Sequence, residues 1–464
     1  MASASVSHSV TIRLELPARP TAVSELTTVM ERVGAIVTAL DVTASGSDRL
    51  QVDVTAATSG EAHADELAEA LRALDGVELG KVSDRVFLAH LGGKLEIRSK
   101  VPLRNRDDLS LAYTPGVGRV CEAIARNPED ARRLTIKRNT VAVVSDGSAI
   151  LGLGNLGPLA ALPVMEGKAV LFKRFADIDA FPICLDTQDT EEIIAVVKAI
   201  APVFAGINLE DIAAPRCFEI ERRLRAELDI PVFHDDQHGT AIVVVAALTN
   251  ALKVVGKRIE DVRLVLSGAG AAGTAVLRLL VAAGLQHVVV VDVDGVIHEG
   301  REGLAPELTW TATNTNRSGL RGTLRDALVD AEVFVGLSAA NILTGDDIAT
   351  MAPGAIVFAL ANPTPEVDPV AASRHAAVVA TGRSDFANQI NNVLAFPGVF
   401  RGLIDARTST VDEAMLLAAA RALADTVHPD ELNAAYIVPS VFNSETTTAV
   451  AAAVERAARG DTTS

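Results

Sequence analysis

Between residues 10 and 16 apolar and polar side chains alternate, which predicts a strand with one buried face. Helical spacing takes over across 22–33 and stops at Gly34. Two more alternating runs, 36–42 and 49–54, flank a Ser-Gly-Ser turn. Residues 61–74 read as a helix closed by Asp75-Gly76, and 77–87 as a last strand. The resulting order, β-α-β-β-α-β, predicts a ferredoxin-like unit. His90 to Gly93 reads as a linker, and 94–230 as mixed α/β material. From Gly239 the pattern becomes regular: a helix over 240–255, a strand over 262–267, a Gly-rich turn, a helix over 274–283 and a strand over 287–291. Strands at 333–336, 356–360 and 377–380 follow, with helical stretches between several of them. Such alternation predicts a doubly wound, Rossmann-type parallel sheet in an α/β protein. An amphipathic helix over 412–424 is expected to pack back on the catalytic part. The chain is therefore expected to divide into 1–88, 89–238 and 239–464.

Composition narrows the function classes. The chain has 464 residues, 49% of them apolar, enough for more than one core. Its net charge of -17 argues against nucleic acid or an anionic membrane as partner, though not against a small anionic substrate. No apolar run is read as long enough to cross a membrane. The first residues lack a basic start followed by an apolar stretch, so a cytoplasmic protein is expected. Cys121, Cys184 and Cys217 are few, odd in number and scattered, which fits reduced thiols. The first unit resembles an ACT domain, and that resemblance implies a small-metabolite effector bound between paired copies. A plain dimerisation module fits the same pattern.

Two stretches match G-x-G-x-x-G. The first runs from Gly152 to Gly157, but Pro158 follows at once and Pro163 soon after, so no long helix is expected there. The second, Gly268, Ala269, Gly270, Ala271, Ala272 and Gly273, follows a predicted strand and opens a helix. Glycines there let backbone N–H groups approach a pyrophosphate at a helix N-terminus. The next strand ends in Asp292, roughly 20 residues on, where a carboxylate accepts hydrogen bonds from an adenosine ribose. Asp292 would repel a 2′-phosphate, and Val293-Asp294 supplies no basic partner, so NAD is preferred to NADP.

Glu210, Asp211 and Asp236 form a possible oxygen-only ligand set, which suits Mg²⁺ or Mn²⁺. His234 and His238 are four apart, the spacing of a zinc pair on a helix. However, the helix is expected to start only near Gly239, and no third nitrogen or sulfur ligand is near. The Asp235-Asp236 pair reads equally as a helix cap, or as one cap and one ligand. Lys168 stands just before an apolar run read as a strand. Burial there would lower its pKa, as a general base needs. Taken alone, it also reads as a surface lysine, and Tyr113 as ordinary packing.

Taken together, these segments carry a resemblance. Leu111-Ala-Tyr-Thr-Pro-Gly-Val117, Ile150-Leu-Gly-Leu-Gly-Asn-Leu-Gly157 and Met165-Glu-Gly-Lys168 come first. Glu210-Asp211, Phe233-His-Asp-Asp-Gln-His-Gly-Thr-Ala241, Ala361-Asn-Pro-Thr364 and Asn391-Asn392 follow in order. Across about residues 90 to 440 the chain resembles the bacterial malic enzymes. The resemblance implies Tyr113 as general acid, Lys168 as general base, and Asp235 as the carboxylate that orients the lysine. It implies Glu210, Asp211 and Asp236 as metal ligands, and Asn362 and Asn392 as substrate residues beside the nicotinamide. The longer animal and plant enzymes carry a substrate-gripping arginine where this chain has Ala149. Some large bacterial relatives add a phosphotransacetylase-like domain, for which this chain has no room.

The implied activity is NAD-linked oxidative decarboxylation of malate to pyruvate by a homo-oligomer. Two alternatives remain at this point. One is a malolactic enzyme that returns the hydride to make lactate. The other is a metabolite sensor whose catalytic half is dead.

Overall fold

A computed structural model describes residues 5–461. It divides into two compact units, 1–96 and 97–464. The first has the strands β1 (Ser5–Pro17), β2 (Ile36–Ser45), β3 (Arg49–Thr58) and β4 (Glu78–Asp84). Two helices, Ala22–Val33 and Glu61–Arg72, interrupt them. The sheet order is β2-β3-β1-β4 and every neighbouring pair is antiparallel, which is ferredoxin-like topology.

Alternation explains the burial. Ile12, Leu14 and Leu16 of β1 and Val52 and Val54 of β3 point inward, against Leu26, Met30, Leu67 and Leu71 of the helices. Arg13 and Asp53, one register out, pair on the other face. The last predicted strand is too long. The chain leaves β4 at Asp84, whose carboxylate accepts the N–H groups of Val86 and Phe87 and so caps a helix over Arg85–His90.

The second unit holds two sheets. β5 (Thr140–Ser145), β6 (Asp179–Cys184), β7 (Gly206–Leu209) and β8 (Val232–His234) form a parallel sheet in the order β6-β5-β7-β8. The second sheet contains β9 (Arg263–Ser267), β10 (His287–Asp292), β11 (Gly295–Val296), β12 (Val333–Gly336), β13 (Ile356–Ala359) and β14 (Val378–Thr381). Its order is β11-β10-β9-β12-β13-β14, parallel except for β11. Counted from β9 this is the 3-2-1-4-5-6 order of a doubly wound dinucleotide fold.

One helix departs from expectation. Pro158–Ala176 is a single 19-residue helix with Pro158 in its first turn and Pro163 inside it. A first-turn proline gives up an N–H that has no helical partner anyway, and Pro163 removes one interior bond. Burial of Met165, Phe172 and Ala176 in the large core offsets that loss. Lys168 therefore sits on a helix, not before a strand.

The helix Thr240–Val255 is almost wholly buried. Together with the π-helical turn Asp235–Gly239 it forms a 21-residue stretch apolar enough to cross a membrane by length and composition. The reading that no segment reaches that length is thereby corrected. Here the stretch lies in the protein core, packed by Glu413–Asp425. The helix that returns to Pro158–Ala176 is instead Phe396–Ala406, with the rings of Phe396 and Phe400 edge-on to Phe172 at 4.7 and 5.1 Å.

Candidate active site

Parallel strands deliver their loops to one edge, and the site lies there. Leu209 of β7 is in register with His234 of β8, so the residues that follow each strand meet. Glu210 and Asp211 thus face Asp235 and Asp236. Asp211 takes a left-handed φ of 53°, and its N–H donates to Asp236 Oδ2 at 2.9 Å. That conformation is costly for a residue with a Cβ, typically about 1 kcal/mol or more. One ligand oxygen from each of Glu210, Asp211 and Asp236 lies within 4.8 Å of the others. Glu210 and Asp211 are buried, while Asp236 keeps a third of its side chain open and marks the mouth.

Crowded carboxylates without a cation resist ionisation. Burial, then Asp236 and Glu210, push Asp211 up to about 8. Burial also raises Glu210, against the pull of Lys168. Asp211 Oδ2 is buried with no hydrogen-bond partner. An orphaned acceptor, an all-oxygen donor set and carboxylates held up by mutual repulsion fit a hard divalent cation.

Lys168 reaches this cluster from its helix. Its Nζ lies 2.5 Å from Asp235 Oδ2, 2.9 Å from Glu210 Oε1 and 4.3 Å above the Phe396 ring centroid. The expected lowering of its pKa is not found. Burial does lower it, but Asp235 and Glu210 outweigh burial and raise it. Asp235 is fully buried; burial pushes it up to about 8, and Lys168 only partly offsets this. Asp235 Oδ2 also accepts the side-chain N–H of Asn392, which stands at the turn after β14. Asp235 thus holds the lysine between two elements remote in sequence.

Asn362 follows β13 and precedes a cis proline. A Cβ on Gly152 would fall 2.5 Å from the Asn362 carbonyl oxygen. The first glycine stretch therefore forms a wall against the Asn362 loop. Asn362 makes no hydrogen bond to Lys168 or the carboxylates. Tyr113 stands apart as well. It ends the short helix Arg106–Ala112, is 65% exposed and has no hydrogen bond to the cluster. His234 is buried with both ring nitrogens unpartnered and its pKa lowered to about 4, chiefly by burial. His238 Nε2 lies 2.6 Å from Glu221, so the two histidines do not converge.

The second glycine stretch lies between β9 and the helix Ala271–Ala282. Gly268 has φ 106°, and a Cβ on Gly273 would fall 1.9 Å from the Gly268 carbonyl oxygen. Only glycine lets the helix start so close to the strand. Asp292 ends β10 as expected, but it is not alone. Arg301 donates to its Oδ2 at 2.9 Å and lies 3.2 Å from Asp294. Val293 and Asp294 supply no basic partner, as expected, but Arg301 returns to Asp292 across a loop.

A second residue was also missed. Glu366, fully buried, accepts the N–H of Ser338 at 2.8 Å and of Ala361 at 3.0 Å. It ties the loop after β12 to the loop that carries Asn362. Ser338 in turn meets Ser267, the residue before Gly268. Nothing in the spacing of Glu366 signals this.

The chain is similar to known proteins along most of its length. The family model "Malic enzyme, N-terminal domain" matches residues 92–225, and "Malic enzyme, NAD binding domain" matches 237–459. The NAD-dependent malic enzyme of Geobacillus stearothermophilus is 55% identical over 449 residues, 97% of this chain and 94% of that protein. The bifunctional malic/malolactic enzyme of Bacillus subtilis is 54% identical over 79% of this chain and 90% of its own. Among solved structures, the NAD-dependent malic enzyme of Thermotoga maritima aligns with a TM-score of 0.77 at 48% identity. That alignment covers 80% of this chain and 99% of the other.

Proposed function

The chain belongs to the malic enzyme family, and from that premise we propose that it oxidises and decarboxylates (S)-malate to pyruvate and CO₂ with reduction of NAD. The observation that carries the reading is the buried Lys168, held by Asp235 and Glu210 beside three converging carboxylates. We assign residues 89–238 as a catalytic segment and 239–464 as an NAD-binding segment. The gap between the two family matches supports that division.

Glu210, Asp211 and Asp236 would hold Mg²⁺ or Mn²⁺, which supplies Lewis-acid polarisation of the substrate C2 oxygen and counters the charge that keeps Lys168 protonated. NAD supplies the hydride acceptor. Lys168 takes the proton of the C2 hydroxyl as that carbon is oxidised. Asp235 and Asn392 fix its direction. Asn392 and Asn362 contact substrate, and loss of the C4 carboxylate leaves an enolate whose C3 Tyr113 protonates.

Tyr113 needs a neighbour to act. Ile97, Leu103, Leu111 and Leu159 are exposed apolar residues of the same unit, and burying them would be favourable. We infer a homo-oligomer whose second copy covers this face and brings Tyr113 to a site. Mixing Tyr113→Phe and Lys168→Ala chains under exchange should then restore activity that neither homo-oligomer shows. Residues 1–88 we read as ACT-like, taking an amino acid or similar metabolite. Reduced thiols at Cys121, Cys184 and Cys217 suit a cytoplasmic enzyme.

A malolactic activity is the second reading, supported by the bifunctional B. subtilis relative. One assay tests both: malate with NAD or NADP, with and without Mn²⁺, following NADH, CO₂ and lactate. Net metal-dependent NADH with pyruvate supports the proposal. Lactate without net NADH supports the second reading, and neither product refutes both.

A further inference from the structure

A cavity of about 610 Å³ lies between residues 129–139 and the C-terminal end of the helix Phe396–Ala406. It takes no part in the site described above. Arg132, Arg133, Arg138, Arg401 and Arg407 line it, in a protein whose net charge is -17. Two of the five are neutralised. Arg133 pairs with Asp130 at 2.9 Å, and Arg401 with Asp405 at 2.6 Å. Among the described residues, Arg132, Arg138 and Arg407 have neither an ion pair nor a side-chain hydrogen bond. Glu129 is the one remaining carboxylate on the wall. The cavity thus carries about two uncompensated positive charges, and an anion there would relieve their repulsion.

Arg407 adds a second sign. It follows the helix as its C-cap with φ 56°, a left-handed position that usually falls to glycine. An arginine there keeps a strained backbone, and Arg407 lines the cavity. Guanidinium forks match carboxylate and phosphate oxygens in pairs. Arg401 Nη1 also donates to Asn139 Oδ1 at 2.8 Å, which ties the two walls together.

We propose that this cavity binds a small dianion, through Arg132, Arg138 and Arg407, independently of the substrate site. A phosphate monoester and a dicarboxylate share the required chemistry. The inference does not rest on malate turnover.

The test is calorimetric titration of the full chain at low salt with inorganic phosphate and, separately, with succinate. The wild type and Arg138→Ala/Arg407→Gly are compared. Charge-assisted contacts of this kind are each worth about tenfold in affinity or more. The wild type should bind at least one of the two ligands, and the variant at least ~10-fold more weakly. Phosphate binding alone identifies a phosphate-ester site, and succinate binding alone a dicarboxylate site. Arg407→Gly by itself should raise Tm while weakening binding, because glycine relaxes the backbone and removes the fork. Equal affinity in wild type and double variant, or no binding of either anion, overturns the proposal.

Discussion

Two loop edges of the second unit face opposite electrostatic problems. After β7 and β8 four carboxylates and a lysine are brought together, most of them buried, and the charge is carried by side chains. After β9 the Gly268–Gly273 turn offers backbone N–H groups and no charged side chain. The first edge is specified by residue chemistry, tolerates backbone strain at Asp211, and needs a cation to balance it. The second is specified by the absence of Cβ atoms. A charge-removing change should therefore act on the first edge through rate and metal affinity. Changes around the second should act through coenzyme binding.

Lys168→Ala tests the first edge most severely. Lys168 is the amine that Asp235 and Glu210 hold in the cluster, whereas the imidazole of His234, 3.7 Å from Asp236, is fully buried. Malate oxidation should fall by ~10²–10⁴-fold, with NAD affinity by fluorescence titration little changed. Near-wild-type turnover in folded protein would remove Lys168 from the chemistry.

The next largest effect concerns metal and pH. Asp211 is raised from its ordinary 3.8 to about 8 in the metal-free fold. Between those values the folded state binds a proton that the unfolded state has lost. The stability of the metal-free protein should thus decline as pH rises from about 4 to about 8, then level off. A cation competes with that proton, so the rise in Tm on adding Mn²⁺ should grow across the same window. Asp236→Ala should raise the Mn²⁺ requirement steeply and flatten that growth. Scanning fluorimetry in EDTA and in Mn²⁺ from pH 5 to pH 8.5 checks both. A Mn²⁺ shift independent of pH would show that the carboxylates are not titrating ligands.

Glu366 joins the Asn362 loop to the loop after β12, whose Ser338 meets Ser267 at the glycine edge, so its replacement should affect malate and NAD binding modestly. In Glu366→Gln one acceptor oxygen becomes an NH₂ that faces a backbone donor. An unsatisfied buried donor of this kind costs about 1–3 kcal/mol. KM for NAD and for malate should both rise, with a smaller drop in kcat. A normal KM for both at reduced Tm would make Glu366 a purely structural residue.

What could be read in advance follows the same division. Glu210, Asp211 and Asp236 were legible as a possible ligand set by residue type, but the short strands β7 and β8 that bring them together were not read in advance. The turn at Gly268 is plain, because strand, glycines and helix are contiguous. The Lys168 helix was misread because Pro158 and Pro163 are local penalties, whereas its stabilisation comes from distant Phe396 and Phe400. The direction of the lysine's pKa differs for a related reason: burial was legible and the resemblance implied Asp235 as a partner, but the second carboxylate, Glu210, was not legible as one. Arg301 and Glu366 act across irregular loops, where no period reports on contacts. Tyr113 faces solvent, so a single chain does not explain its role.

The smallest expected effect, coenzyme choice, is also where the contrast between the edges is least clean, because Asp292 is a charge at the glycine edge. Alone, it would repel a 2′-phosphate and accept ribose hydroxyls. Arg301 now shares that carboxylate at 2.9 Å, and both side chains are largely buried, near 15% exposed. The pair therefore has two opposing consequences. It would hold Asp292 in place for a ribose, and it would offset part of the repulsion toward a 2′-phosphate. Arg301→Ala should leave Asp292 more repulsive and raise the NAD-over-NADP ratio of kcat/KM, by about tenfold or less for a single charge near solvent. Asp292→Ser should free Arg301 to meet a 2′-phosphate and lower the ratio by a similar factor. If both variants shift the ratio in the same direction, Arg301 acts only by placing Asp292. If neither moves it, the preference for NAD lies elsewhere in the loop, and the glycine edge is free of side-chain charge effects after all.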